Sequence, residues 1–338
     1  MSLAGHRKAV DLCTYCPKLC RWACPVAEAE TRETVTPWAL MTRVDDVLRG
    51  AAPADAATAE VWTHCTGCGR CQTACKHEND VKTVLYAARA EVQGLLPPGL
   101  LAWAEEAPAP CAAYAALPRA GRVRVLPGHA APAVVEAGLA LLAAAGFAEL
   151  GRLSVAHSAH RHREAGHPAA ADAAQDALAA ELAGVDQLIC FEAEDALALR
   201  GLKGVVHLFE ALPWPDFQTL IHRTLPGDVL YLDACALGRG LELYNAPRRL
   251  LERAITGTLR EATMHHTEAG CCGAGAGYAA LHPGPAATVA REAAADVAHI
   301  PVVIAGGACA AHLQAALAPR PVLHLYQVLA ASLRGKAQ

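Results

Sequence analysis

Eight of the fourteen cysteines in this chain fall into two compact runs, CTYCPKLCRWACP from Cys13 to Pro25 and CTGCGRCQTAC from Cys65 to Cys75. Thiolates two or three residues apart close naturally around one polynuclear centre, so the runs predict two iron-sulfur clusters and a small fold built around them. With 338 residues, 54% hydrophobic and 18% charged, the chain can bury more than one core and is expected to form two or three domains. A formal charge of -4 provides no basic field for phosphate backbones, which argues against nucleic acid as a partner. The opening MSLAGHRKAVDLC lacks the apolar core of a secretory signal, and the longest apolar stretch, Ala137 to Ala148, is too short to span a bilayer. Clustered cysteines without an export signal fit metal ligation in a reducing cytoplasm better than disulfides.

The spacing within each run refines this reading. Cys65, Cys68, Cys71 and Cys75 have the ferredoxin intervals of two, two and three residues, with Gly67 and Gly69 permitting tight turns. Cys13, Cys16, Cys20 and Cys24 have intervals of two, three and three, and this run ends in Cys-Pro. In two-cluster ferredoxins the fourth cysteine of each run serves the other cluster. By that rule Cys13, Cys16, Cys20 and Cys75 hold one 4Fe-4S cluster, and Cys65, Cys68, Cys71 and Cys24 hold the second. Structural zinc also uses CxxC pairs, but as separated pairs with four ligands per site, which these dense runs are not.

Around the runs the pattern is helical. Thr36 and Pro37 form a helix start, Leu40, Met41, Val44, Val47 and Leu48 share a face, and Gly50 ends it. Asn79 and Asp80 precede a second helix carrying Val81, Val84, Leu85 and Ala88. LLPPGLLAWAEEAPAP, Leu95 to Pro110, marks a boundary because its prolines interrupt helix. From Gly121 onward β-rich runs (VRVL, LICF, VVHLF, VLYLD, VVIA, VLHLY) alternate with alanine-rich helical stretches, the pattern of parallel βαβ units. VVHLFEAL at Val205 matches VLHLYQVL at Val322, and VRVLPGH at Val123 resembles VLYLDAC at Val229, in the same order. Duplication is the economical reading, with chance similarity of alanine-rich sequence as the alternative. The expected architecture is α+β and multidomain: an α-helical dicluster domain over residues 1–100, a linker over 101–120, and two α/β halves over 121–225 and 226–338.

A second constellation lies in the last half: Cys235 after a strand, Cys271-Cys272 in AGCCGAGAG, and Cys309 after VVIA. Vicinal thiolates crowd a single ion but can reach different irons of a larger cluster, and Gly273, Gly275 and Gly277 allow close backbone approach. Buried small hydrophobes or a vicinal disulfide are the other readings.

DACALGRGLELYNAPRRLLE, CCGAGAG and AGGACAAHLQ together resemble the CCG, or cysteine-rich, domain of the heterodisulfide reductase family. Joined to the dicluster module, the layout is similar to that family's catalytic iron-sulfur subunit and to relatives in glycolate oxidase, lactate utilisation and anaerobic glycerol-3-phosphate dehydrogenase. The resemblance implies two 4Fe-4S clusters feeding a third iron-sulfur cluster on Cys235, Cys271, Cys272 and Cys309, the catalytic positions, where heterodisulfide reductases cleave a disulfide in one-electron steps. Two departures weigh against a five-thiolate noncubane cluster, though four thiolates still suit an ordinary 4Fe-4S cluster. Gly306 stands where the family's closing CxxC pair begins, and Ala236 where a histidine commonly follows the first cysteine. In the upstream half His129 takes the place of Cys235, Glu194 that of Cys309, and AHSAHRHREAGH that of the CCG loop. His157, His160, His162 and His167 of that segment read as a solvated loop, with metal binding as the alternative, Cys190 reads as a buried strand residue, and Cys111 as part of the linker.

No dinucleotide fingerprint, phosphate-binding loop or nucleophile elbow is present. The chain therefore reads as an iron-sulfur oxidoreductase, or the electron-transfer subunit of one, acting on a disulfide, a quinone or a partner flavoprotein. The other reading is a non-catalytic electron-transfer or redox-sensing adaptor with a degenerate CCG domain. Expected partners are a flavoprotein, cytochrome or ferredoxin, with any membrane association made through a partner subunit.

Overall fold

A computed structural model describes residues 3–16 and 18–333. The chain divides into two compact units that interleave along the sequence. The first comprises the residues up to Glu106 together with Arg161–Asp172 and Thr267–Ala293; the second comprises Ala107–His160, Ala173–His266 and the residues from Ala294.

The first unit is helical. Thr36 caps the helix Pro37–Leu48, its Oγ1 accepting from Ala39 N at 3.2 Å, while Pro37 takes the first turn, where its missing N–H costs nothing. Asp80 caps Val81–Glu91 in the same way through Thr83 N. The two helices bury Leu40, Met41, Val44, Val81, Val84, Leu85 and Ala88 in one core with Val10, Cys13 and Trp62. The proline-rich stretch is not simply a break. Pro98 opens the helix Pro98–Ala104, because proline is tolerated in a first helical turn. The segment Pro283–Ala293 packs on Pro25–Glu30, and Tyr278–Leu281 packs on Pro98–Ala104.

The second unit holds two parallel four-stranded sheets of identical topology. Strands β1 (Val123–Leu126), β2 (Leu150–Arg152), β3 (Gln187–Cys190) and β4 (Val205–His207) are ordered β2-β1-β3-β4. Strands β5 (Val229–Leu232), β6 (Leu259–Glu261), β7 (Val302–Ile304) and β8 (Val322–His324) are ordered β6-β5-β7-β8. The six anticipated strands are present. The two additional ones, β2 and β6, are three-residue edge strands, LGR and LRE, with no apolar run to mark them. Each half ends alike: His207 Nδ1 accepts from Phe209 N and His324 Nδ1 from Tyr326 N, both at 3.2 Å, turning strand into helix. Across the halves the helix Leu325–Ala331 packs on Pro132–Ala144, and Tyr326 donates its hydroxyl to Phe191 O at 2.8 Å.

A buried ion cluster fixes the carboxyl end of β5. Arg248 Nη2 lies 2.6 Å from Asp233 Oδ2 and its Nε 2.6 Å from Glu261 Oε1, and Asp233 also accepts from His266 N at 2.8 Å. Replacing Arg248 by Met leaves Asp233 buried and unpaired two residues before Cys235. The expected loss is ~3–5 kcal/mol, measured by anaerobic denaturation of the holoprotein, while the double change Arg248→Met with Asp233→Asn is expected to recover a large part of it.

Candidate iron-sulfur and cysteine-rich sites

The two N-terminal runs do not each close on themselves. One cavity is lined by Cys13, Cys16, Cys20 and Cys75, with Cys71 also on its wall, and a second is lined by Cys24, Cys65, Cys68 and Cys71. Cys75 of the second run thus lies on the cavity of Cys13, Cys16 and Cys20, and Cys24 of the first run on that of Cys65 and Cys68. The first run reaches both cavities because a short helical turn, Leu19–Ala23, carries the chain from Cys20 to Cys24 before Pro25 begins the next helix. In the second run Gly67 has φ +69°, and a Cβ there would lie 2.1 Å from Tyr86 Oη, so only glycine fits the turn between Cys65 and Cys68.

The donor set fits 4Fe-4S clusters. Burial, reinforced by the charges of Cys20, Cys75 and Cys16, pushes the Cys13 thiol up to about 12, although Asn79 opposes the shift by donating Nδ2 to Cys13 Sγ at 2.9 Å. Burial likewise pushes Cys24 up to about 12 and Cys71 well above the ordinary thiol range, with neighbouring thiolates adding to both. Four sulfurs so placed become thiolates together only around a multiply charged centre, as iron provides. Asn79 and Arg89 supply the polar support that such sulfurs use to tune a potential. Arg89 is completely buried and donates to the carbonyls of Trp62, Cys65, Glu164 and Ala276 at 2.6–3.1 Å. Neither residue stands out in the sequence as functional, because each acts on atoms of distant segments.

The four later cysteines divide between the units. Cys271 and Cys272 belong to the first. Both are buried; Gly273 N donates to Cys271 Sγ at 3.3 Å and Ala274 N approaches Cys272 Sγ at 3.5 Å. Cys271 Sγ lies 3.4 Å from Thr66 Oγ1 and shares an apolar cluster with Cys24 and Cys68. The loop comes this close because Gly275 lacks a Cβ, which would stand 2.3 Å from Thr66 O. Cys235 and Cys309 belong to the second unit, after β5 and in the first turn of Gly307–Leu317, which follows β7. These adjacent strands flank the point where strand order reverses, the place where parallel sheets form sites. A Cβ on Gly306 would lie 3.3 Å from Ala234 Cβ, tighter than an ordinary contact, and 3.7 Å from Cys309 Sγ, so a closing CxxC cysteine there requires Ala234 to give by a few tenths of an ångström.

The first sheet carries other residues at the equivalent positions. Leu126 pairs with Cys190 in β1–β3 as Leu232 pairs with Ile304 in β5–β7. That register sets His129 against Cys235 as expected, but it sets Asp195, not Glu194, against Cys309, and Glu192 against Gly306. Glu192 is buried and accepts from Gly307 N at 3.0 Å, capping the helix that carries Cys309. Asp195 accepts from Ser158 N at 2.7 Å and faces His160 Nδ1 at 3.4 Å. The histidine-rich segment is not a solvated loop. Ser158, Ala159, Arg161 and Ala165 are buried, and the His157 and His160 rings lie 4.7 Å and 6.2 Å from that of His129. His162 and His167 fall in the other unit. Cys190 is fully buried in β3, and Cys111 is buried with its Sγ near Pro132 O. No helix among the described residues is long and apolar enough to cross a membrane.

Comparison with known families agrees with this geometry. Residues 9–79 match the 4Fe-4S dicluster domain, and residues 229–314 match the cysteine-rich domain. The two together are the architecture of heterodisulfide reductase-like iron-sulfur proteins. The dicluster domain implies two 4Fe-4S clusters. No curated protein and no solved structure matches the chain.

Two outcomes follow from these contacts. Arg89→Met strands buried carbonyls in three chain segments, and at ~1–3 kcal/mol for an unsatisfied group it is expected to cost at least ~3 kcal/mol. Limited proteolysis should then cut within 161–172 and 267–293 before the rest of the chain. Burial, then the charge of Glu194, raises the Glu192 carboxyl above the ordinary range despite the Gly307 N–H. The folded state thus holds a proton that the unfolded chain releases, and stability falls as pH climbs past the unfolded carboxylate value. Glu192→Gln, which keeps an acceptor for Gly307, should match the native protein near pH 4 and gain on it steadily toward pH 8 in denaturation midpoint.

Proposed function

We propose that this chain is an electron-transfer protein of oxidoreductase type, in which the dicluster module exchanges electrons with a third iron-sulfur cluster held by Cys235, Cys271, Cys272 and Cys309. The observation carrying this reading is the seat of Cys271. Its sulfur is 3.4 Å from the hydroxyl of Thr66, a residue flanked by Cys65, and it packs in one apolar cluster with Cys24 and Cys68. A cysteine of the second constellation thereby stands beside a quartet of the first. When bound, the clusters supply reversible one-electron steps.

The chain's own residues do the holding and shielding. Cys24, Cys65, Cys68 and Cys71 anchor the cluster nearer to Cys271, and Cys13, Cys16, Cys20 and Cys75 anchor the other. Asn79 favours the thiolate of Cys13 and Arg89 that of Cys65. Tyr15 and Trp22, 80% and 81% exposed beside Cys16, Cys20 and Cys24, give a redox partner an aromatic surface next to the first run. The terminal acceptor or donor is a disulfide, a quinone or a flavoprotein partner. An adaptor that transfers electrons without a reaction of its own is favoured by one observation, Gly306 in place of the first cysteine of the closing CxxC pair.

Anaerobic purification with iron and acid-labile sulfide analysis, followed by EPR at stepped potentials, separates the readings. About twelve irons per chain are expected, falling to about eight in Cys271→Ser/Cys272→Ser with loss of one signal and retention of the other two. Eight irons in the native chain, unchanged by that substitution, would exclude the third cluster and leave the adaptor. A spectrum from the third cluster that responds to added thiol or disulfide would mark an enzyme.

A further inference from the structure

Apart from the cysteine sites, one set of nitrogen and oxygen donors converges inside the first unit. Glu60 and His64 stand four residues apart where the helix Ala56–Val61 runs into the turn Trp62–His64, so both face the same side. His282 arrives from a distant segment, just after Tyr278–Leu281. One donor atom from each of these three residues lies within 4.8 Å of the others. The His64 and His282 rings stack with centroids 3.9 Å apart.

The surroundings are those of a ligating histidine. Such an imidazole normally gives its second ring N–H to a carboxylate, which fixes the tautomer and the direction of the remaining lone pair. His64 Nδ1 is 2.7 Å from Glu30 Oε1, and the Tyr278 hydroxyl donates to that same oxygen at 2.7 Å. With Nδ1–H committed to Glu30, the Nε2 lone pair points toward Glu60 Oε1, 2.8 Å away. His282 is held in turn by Thr63, whose Oγ1 lies 2.8 Å from its Nε2. His64 is only 2% exposed, whereas the Glu60 side chain is 44% exposed and free to adjust.

We propose that Glu60, His64 and His282 form a mononuclear site for a divalent first-row transition ion, with Glu30 as the outer carboxylate that orients His64. Two imidazoles and one carboxylate, with no thiolate, are a donor set suited to zinc rather than to cluster iron. Tetrahedral bonds of ~2.0–2.1 Å set neighbouring donors ~3.3 Å apart, so Glu60 needs to withdraw from His64 by ~0.5 Å, which its exposure permits. The His282 ring, stacked at 28° to the plane of His64, needs to turn until its lone pair meets the ion. The ion would tie the turn leading into Cys65 to the segment that follows Cys271 and Cys272, holding two cysteine-bearing stretches of one unit in place. The competing arrangement is His64 hydrogen-bonded directly to both Glu30 and Glu60 with no ion.

The test uses full-length holoprotein purified anaerobically, equilibrated with Zn2+ and gel-filtered, with zinc, iron and sulfide counted together. One zinc per chain is expected, with a zinc-edge absorption spectrum showing nitrogen and oxygen neighbours at ~2.0–2.1 Å and no sulfur at ~2.3 Å. His282→Phe, which keeps a ring to stack but no donor, should weaken zinc binding at least tenfold while leaving iron and sulfide unchanged, and Glu60→Gln should weaken it as well. No zinc retained by the native protein, a sulfur shell around the zinc, or full zinc retention by both variants would each overturn the site. Because iron and sulfide are counted separately, failure here is distinguishable from failure of the third-cluster reading.

Discussion

One guanidinium holds the first unit in register. Arg89, with no exposed surface, reaches the carbonyls flanking the second cysteine run at Trp62 and Cys65, that of Glu164, and that of Ala276 just beyond the vicinal cysteines. A buried charge is tolerable only when its donors are satisfied, and here carbonyl dipoles from three separate segments do this without a paired carboxylate. The partners are main-chain atoms, so the contact constrains backbone position rather than side-chain packing. Its charge also favours the thiolate of Cys65 against the burial that opposes it. The same residue therefore sets both where the vicinal-cysteine loop lies and how readily its neighbouring sulfur ionises.

The second unit shows how two halves of the same topology carry different chemistry at the same place. Both sheets place two loops at the point where strand order reverses. In the later half those loops carry Cys235 and Cys309; in the earlier half they carry His129, Glu192 and Asp195. Carboxylates and imidazole cannot replace thiolates as iron-sulfur ligands at four positions, but they hydrogen-bond well. Glu192 now caps the helix of Cys309, and Asp195 organises Ser158 and His160. In the earlier half these positions carry groups that support the later one.

Much of this was legible in residue order. The two dense cysteine runs and their ferredoxin intervals were readable along the chain, and the structure puts Cys75 with the first run and Cys24 with the second. The caps at Thr36 and Asp80 were equally readable, since each is satisfied within three residues. The strands β2 and β6 were not, because three-residue edge strands draw their stability from a neighbour and not from their own apolar content. Asp195 was displaced by one position from its true equivalence, because strand register is set by pairing across the sheet, which similarity along the chain approximates only to within a residue.

By itself, then, the sequence determined the short-range chemistry: which thiols can share a centre, where helices start, and that the α/β half is doubled. Such features depend on bond geometry and hydrogen bonds over a few residues. Tertiary structure alone decided the groupings that join distant segments: Cys271 against Thr66, Arg89 across three stretches of backbone, and Glu60 and His64 with His282. Those meetings arise from burial and from the need to satisfy every buried polar group, and neither demand leaves a periodic trace along the chain.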